Sequence, residues 1–211
     1  MDLIFTGIEF FHKGGFVMYI LLLCSLFVVA IGIERAAYFR QADAGRRFAR
    51  DFFCAVENNR FSDAQALAKN TLGALPDILY EACKRCAGKK TTVSGYMEIQ
   101  SGIALSRLRR RLYYLSVIVT MAPLLGLLGT ISGMISSFSV FNLESGQAAA
   151  ITGGVGEALI ATAMGLCVAI ISLGVHAYFT QRIENVVTDM EQCFSLVEAH
   201  QEAFAGAGEQ K

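Results

Sequence analysis

Charge is what this sequence has least of. Asp, Glu, Lys and Arg make up 17% of its 211 residues, where a soluble globular domain carries about a quarter. With apolar residues at 54%, the shortage places the chain in the membrane class. The charge present sums to a formal net of zero, so bulk charge gives no reason to expect nucleic acid or another polyanion as partner. No GxxxxGK[ST] loop occurs, which removes the P-loop nucleotide hydrolases. His12, His176 and His200 lie too far apart to assemble a hydrolytic site. The six cysteines form no secreted-type framework and read as small apolar side chains. Cys83-Lys-Arg-Cys86 has C-x-x-C spacing without a second pair, so no metal, redox cofactor or catalytic residue is expected. The first residues carry Asp2 and Glu9, with no small-residue cleavage site after the apolar run, unlike a signal peptide.

What the chain does have is long apolar runs. Phe16 to about Ile33, Tyr113 to Phe141 and Val155 to Phe179 are each long enough to cross a bilayer, which takes about 20 helical residues. Backbone groups in hydrocarbon must bond internally, so each run is expected to be a helix. Orientation follows from the basic residues. Of 18 Lys and Arg, only Lys13 precedes the first span, and none lies between the second and third. The positive-inside rule then puts the N-terminus outside and the C-terminus inside. The resulting layout is an amphipathic outer-interface helix over 1–15, spans over 16–38, 113–141 and 155–179, a helical cytoplasmic domain over 39–112, an outer loop over 142–154, and a cytoplasmic helix and tail over 180–211. Pro76 and Gly88 mark breaks between short inner helices. Ile183, Val186, Val187, Met190, Phe194 and Val197 recur at helical spacing and are expected to pack inward. Arg107, Arg109, Arg110 and Arg111 stand where anionic lipid head groups lie, at roughly 1 kcal/mol per residue.

Candidate functional residues concentrate in the second and third spans. Glu157 is an acid inside a span, which is costly and therefore faces protein or a wet cavity; the alternative is an interfacial carboxylate at a helix N-terminus. Thr162 lies ~7.5 Å deeper along the same helix, and Thr130 stands in the second span. A hydroxyl can bond a hydrated proton or a partner's carboxylate, although threonine in a membrane helix often bonds its own backbone instead. Small residues line both spans: Gly126, Gly129 and Gly133 in the second, and Ala158, Ala161, Gly165 and Ala169 in the third. They permit close helix approach, within one chain or between chains. The first span lacks such a ladder and is expected to face lipid. The middle of these spans holds hydroxyls and no acid, so a proton either crosses there through water alone or meets a carboxylate supplied by another polypeptide, which points to a partner helix.

The stretch Pro123-Leu-Leu-Gly-Leu-Leu-Gly129-Thr130-Ile-Ser-Gly133-Met-Ile-Ser-Ser-Phe138 resembles the second-span motif of ExbB, TolQ and MotA-type proton channels. Gly156-Glu157-Ala158-Leu-Ile-Ala161-Thr162-Ala163-Met-Gly165-Leu resembles their third-span motif. The resemblance implies an all-α membrane protein with three transmembrane helices and a helical cytoplasmic domain, assembled as a homo-pentamer with helices two and three lining a central pore. It further implies an ExbD/TolR-like single-span dimer in that pore, whose aspartate faces Thr130 and Thr162. Glu157 matches the family's third-span acid, the ion would be H+, and a TonB-like or TolA-like protein would transmit the work across the envelope of a bacterial inner membrane. Many relatives carry a proline late in the third span, where this chain has Ala169-Ile-Ile-Ser172-Leu. The competing reading is a passive membrane scaffold that anchors an envelope or gliding complex.

Overall fold

The computed structural model describes residues 15–86, 93–141 and 148–208. The expected amphipathic helix before Gly15, the break at Gly88 and residues 142–147 of the expected outer loop lie outside these residues. Every regular element among the described residues is an α-helix. In chain order they are α1 (Gly15–Ala42), α2 (Gly45–Glu57), α3 (Phe61–Asn70), α4 (Ala74–Cys86), α5 (Val93–Arg109), α6 (Leu112–Phe141), α7 (Ala148–Ala199) and α8 (Gln201–Gly208). The chain divides into two compact units: one of Met1–Ile33 with Arg111–Tyr178, the other of Glu34–Arg110 with Phe179–Lys211.

The first unit contains the apolar parts of α1, α6 and α7, and among the described residues three helices are long and apolar enough to cross a membrane. Along α1, Val17, Met18, Leu21, Val28 and Ile31 are buried, while Phe16, Leu22, Leu23, Leu26 and Phe27 are exposed. One narrow stripe therefore packs and the rest of α1 presents apolar side chains outward. α6 remains one helix through Pro123, although proline has no N–H to offer the carbonyl one turn back, at Val119.

The helices outlast the apolar runs that announced them. α1 continues to Ala42 and α7 runs unbroken from Ala148 to Ala199, whereas the hydropathy pattern ended a span at 179 and left residues before 155 to a loop. The physical reason is that the backbone ladder needs no lipid. Phe179-Thr180-Gln181-Arg182 contains neither glycine nor proline, and the buried positions simply continue at steps of three and four.

In the second unit those positions are Phe179, Ile183, Val186, Met190, Cys193 and Val197. They are larger than the buried residues of α7 in the first unit, and they meet a core of short helices. Phe52 is fully buried on α2, stacked on Phe204 of α8 at 6.5 Å and beside Phe48 at 6.0 Å. The turn between α1 and α2 is fixed by Asp43: its Oδ1 accepts the Gly45 N–H at 2.8 Å, and its Oδ2 pairs with Arg182 on α7 at 2.7 Å. Gly45 adopts φ +77°, a left-handed conformation that glycine takes without strain. Asn58 and Asn59 end α2, with Asn59 at φ +58°. Because Phe52 fills the centre of this core, Phe52→Ala is expected to cost about 3–5 kcal/mol of stability, read as a lowered unfolding midpoint of the purified protein. A loss below about 1 kcal/mol would place Phe52 outside the core.

Arg35 is a feature that hydropathy does not flag. It is 4% exposed, with Nη1 donating to the Arg107 carbonyl at 3.2 Å, Nη2 to Glu34 Oε1 at 3.0 Å, and the guanidinium 4.8 Å from the centre of the Tyr38 ring. Arg107 stands in the last turn of α5, where helix carbonyls lack intrahelical partners, so Arg35 caps that end with a cation the helix dipole favours.

Candidate functional site

The antiparallel pairing of α6 with α7 in the first unit brings the small residues together. A Cβ placed on Gly126 would lie 3.0 Å from the Thr162 Cα and 3.1 Å from the Ala161 carbonyl oxygen. One placed on Gly129 would meet the Ala161 Cβ at 2.5 Å, and one on Gly133 the Ala158 Cβ at 3.0 Å. From the other side, a Cβ on Gly165 would meet the Ala122 carbonyl oxygen at 2.6 Å. Ala158, Ala161 and Ala169 are buried. The glycine spacing on α6 thus receives α7 of the same chain, backbone against backbone, as small-residue faces allow in an apolar solvent where packing replaces the hydrophobic effect.

Two hydroxyls cross this seam. Thr162 Oγ1 donates to the Gly126 carbonyl at 3.0 Å. Ser172, fully buried, donates to the Leu115 carbonyl at 3.1 Å. Thr130 behaves differently: its Oγ1 donates to Leu127 of its own helix at 2.7 Å. The two threonines therefore share no side-chain bond, yet they converge on one place. The helical pattern directs the Thr130 N–H to the carbonyl four residues back, that of Gly126, which also accepts the Thr162 hydroxyl. Glu157 lies on α7, and its side chain is outside the described residues. Around the seam, Leu127, Leu128, Ile131, Ile135 and Phe138 of α6 and Leu159, Leu166, Ile170 and Ile171 of α7 are exposed. Such a continuous apolar exterior is expected where lipid or further protein covers it.

Elsewhere the candidates separate. Arg107, Arg109, Arg110 and Arg111 are exposed at the end of α5 and in the turn before α6, with Arg111 at φ +71°. Among the described residues no group of His, Cys, Asp and Glu is arranged to hold a metal. In the C-x-x-C stretch, burial first and the neighbouring Cys86 second push the Cys83 thiol up to about 12. Cys193 is likewise pushed up to about 12, by burial and then by Asp189. Burial also raises the Asp189 carboxyl, with Arg46 pulling it down and Asp43 pushing it up. Since only the thiolate reacts, a maleimide near neutral pH is expected to modify exposed Cys54 and to spare Cys83 and Cys193 until the protein is denatured. Equal rates at all three, followed by mass spectrometry of the peptides, would contradict the buried placement.

Three features of the structure escaped the sequence. Ser172 stood as a lone serine in an apolar run, Arg35 as an ordinary charge at a span's end, and Arg46, Arg47 and Arg50 only as evidence of orientation. Ser172, Arg35 and Arg46 take their roles from Leu115, Arg107 and Asn185, far away in the chain, for which local pattern carries no signal.

Residues 71–192 match the MotA/TolQ/ExbB proton channel family. Over 164 residues the chain is 37% identical to a biopolymer transport protein of Synechocystis sp. named ExbB-like 3, covering 76% of this chain and 78% of that protein. An ExbB homologue of Methanothermobacter thermautotrophicus is 28% identical over 191 residues, covering 88% of this chain and 67% of the relative. The biopolymer transport protein ExbB of Neisseria gonorrhoeae is 31% identical over 146 residues, 65% of each chain. The match takes in α6 and the membrane part of α7, where the glycine seam and both threonines lie; with its apolar spans, this chain is a multi-pass membrane protein belonging to the MotA/TolQ/ExbB proton channel family, close to ExbB.

Proposed function

We propose that this chain is the channel-forming subunit of a motor that couples inward proton flow to mechanical work on the cell envelope. Five copies form a ring with α6 and α7 toward a central pore, and an ExbD/TolR-like single-span dimer occupies it. The observation that carries this reading is the Thr162 hydroxyl crossing to the Gly126 carbonyl at 3.0 Å, with the Thr130 hydroxyl on the neighbouring Leu127 carbonyl at 2.7 Å, inside apolar helices. Such a site offers hydroxyls and a carbonyl to a proton-bearing group but no titratable group of its own. A partner's aspartate supplies the missing acid. In its charged form it is held by the hydroxyls, and protonation releases it so that the partner steps within the ring. Each proton crossing delivers about 2.3 kcal/mol per 100 mV.

In this arrangement the N-terminus is periplasmic and the C-terminus cytoplasmic in a bacterial inner membrane. Glu157 eases entry of the proton from outside. Arg107, Arg109, Arg110 and Arg111 meet anionic head groups, and a TonB-like or TolA-like protein carries the work outward. The test is proton uptake into proteoliposomes under an imposed membrane potential, with this chain reconstituted alone and together with the single-span protein. Uptake that requires both proteins supports the reading. No uptake from the joint complex would favour a passive scaffold, in which the threonines only pack.

A further inference from the structure

The second unit carries weakly paired basic charge and unpaired acidic charge on two adjoining faces. Between α2 and α7 lies a groove of about 810 Å³, walled by Arg46, Arg47 and Arg50 with Phe53 on one side and by Thr188, Asp189 and Gln192 on the other, Asp189 lying under the influence of Arg46. Arg46 is engaged by Asn185 at 2.8 Å. Arg47 and Arg50 are not matched in this way: their side chains are 87% and 73% exposed, and both reach for the single carboxylate of Asp51 at 3.8 and 4.0 Å. Two guanidiniums with ten N–H donors therefore have only the distant Asp51 as ion-pair partner, and one further carboxylate, Asp189, in the groove wall.

The complementary face is on α7. Glu184, Glu191 and Glu198 recur every seven residues and are exposed, with carboxylates ~10.5 Å apart along the helix. None has an ion-pair partner among the described residues. They lie away from the buried stripe of Ile183, Val186, Met190 and Val197, so they point out of their own unit. Thr188 belongs to the same exposed stripe and also lines the groove, so the two faces adjoin on α7 without pairing with each other.

We propose that the arginine groove of one copy receives the glutamate stripe of α7 from a neighbouring copy. The inference rests on the ring proposed above and adds the surface that sets its handedness outside the membrane. A groove facing a second groove would set arginines against arginines, so the pairing is groove to stripe. Made in one direction only, such a contact is heterologous, and it closes a ring where its rotation returns to the first copy. Arginine meets carboxylate through paired N–H donors, which fixes register as well as attraction. An anionic lipid in the groove would satisfy the arginines but leave the acidic stripe unanswered; a second copy answers both.

The test compares assembly of the full-length chain, by mass photometry in mild detergent, for the wild type and three variants. Arg47→Glu with Arg50→Glu, and separately Glu184→Lys, Glu191→Lys and Glu198→Lys, are each expected to raise the concentration for half-assembly about tenfold or more. Combining both sets restores complementarity and is expected to return assembly toward the wild-type level. The wild-type ring is also expected to loosen as salt rises toward about 1 M, where exposed charges are screened within ~3 Å. All five positions are exposed, and unchanged circular dichroism verifies that the variants fold. A wild-type ring that both one-sided variants retain overturns this pairing and leaves the motor reading intact. So does a combined variant that stays dissociated. A wild-type chain that is monomeric at every concentration overturns the pairing and the ring together.

Discussion

Gly165→Val is expected to abolish the packed form of the first unit. The added Cβ would meet the Ala122 carbonyl oxygen at 2.6 Å, the Gly126 Cα at 3.0 Å and the Gly126 nitrogen at 3.2 Å. All three are backbone atoms of α6, so no rotamer change can relieve them and the helices must separate. Overpacking a core where side chains can yield costs about 1–3 kcal/mol. Here the yielding element is a whole helix, and the Thr162–Gly126 and Ser172–Leu115 bonds would be lost with the close approach. The variant should aggregate or elute as a broadened species in detergent, with a strongly lowered unfolding midpoint. Gly174 in the same helix is the control, since a Cβ there meets nothing within 4 Å. Gly174→Ala is expected to be neutral or to stabilise by up to about 1 kcal/mol through helix propensity. If both variants behave alike, the α6–α7 seam is not the contact described.

The second large effect falls on function while the fold persists. Thr162→Val removes the hydroxyl that reaches across to Gly126 but keeps the volume and branching of the side chain. An interhelical hydrogen bond in a membrane is worth about 0.6 kcal/mol on average, so expression and assembly should hardly change. Partner-dependent proton uptake should fall about tenfold or more, the equivalent of ~1.4 kcal/mol in the barrier. Thr162→Ser retains the hydroxyl and is expected to recover most of the flux. Both hydroxyls donate to a backbone carbonyl and must turn from it to hold a carboxylate, so Thr130→Val is expected to lower flux as Thr162→Val does, without loosening the seam, since its bond to Leu127 lies within one helix. Undiminished flux in Thr162→Val would reduce this residue to a packing contact.

Much of this architecture was legible in the sequence, because a bilayer imposes its demands locally. Apolar length gave the spans, and the spacing of Gly126, Gly129 and Gly133 marked the face of α6 that accepts another helix. The ends of elements were less legible. Hydropathy stops where lipid stops; the spacing from Ile183 to Val197 marked a helix beyond it, but not that it joins the span without a break to form α7. The break between α2 and α3 lies at the Asn58–Asn59 turn, which the tolerance of asparagine for positive φ permits, while Pro76 sits inside the first turn of α4. For the site, residue types were readable but their partners were not. Nothing local tells Thr162, bonded across to α6, from Thr130, bonded within it. Arg35 likewise takes its meaning from the Arg107 carbonyl, 72 residues along the chain.

The central claim is that this chain forms a ring around a single-span helix that brings the missing acid. Native mass spectrometry of the chain, purified in mild detergent with the product of a neighbouring single-span gene, tests it most directly. The account predicts five copies of this chain with two of the companion. A stable assembly from which any single-span companion is absent, even under gentle extraction, would contradict it.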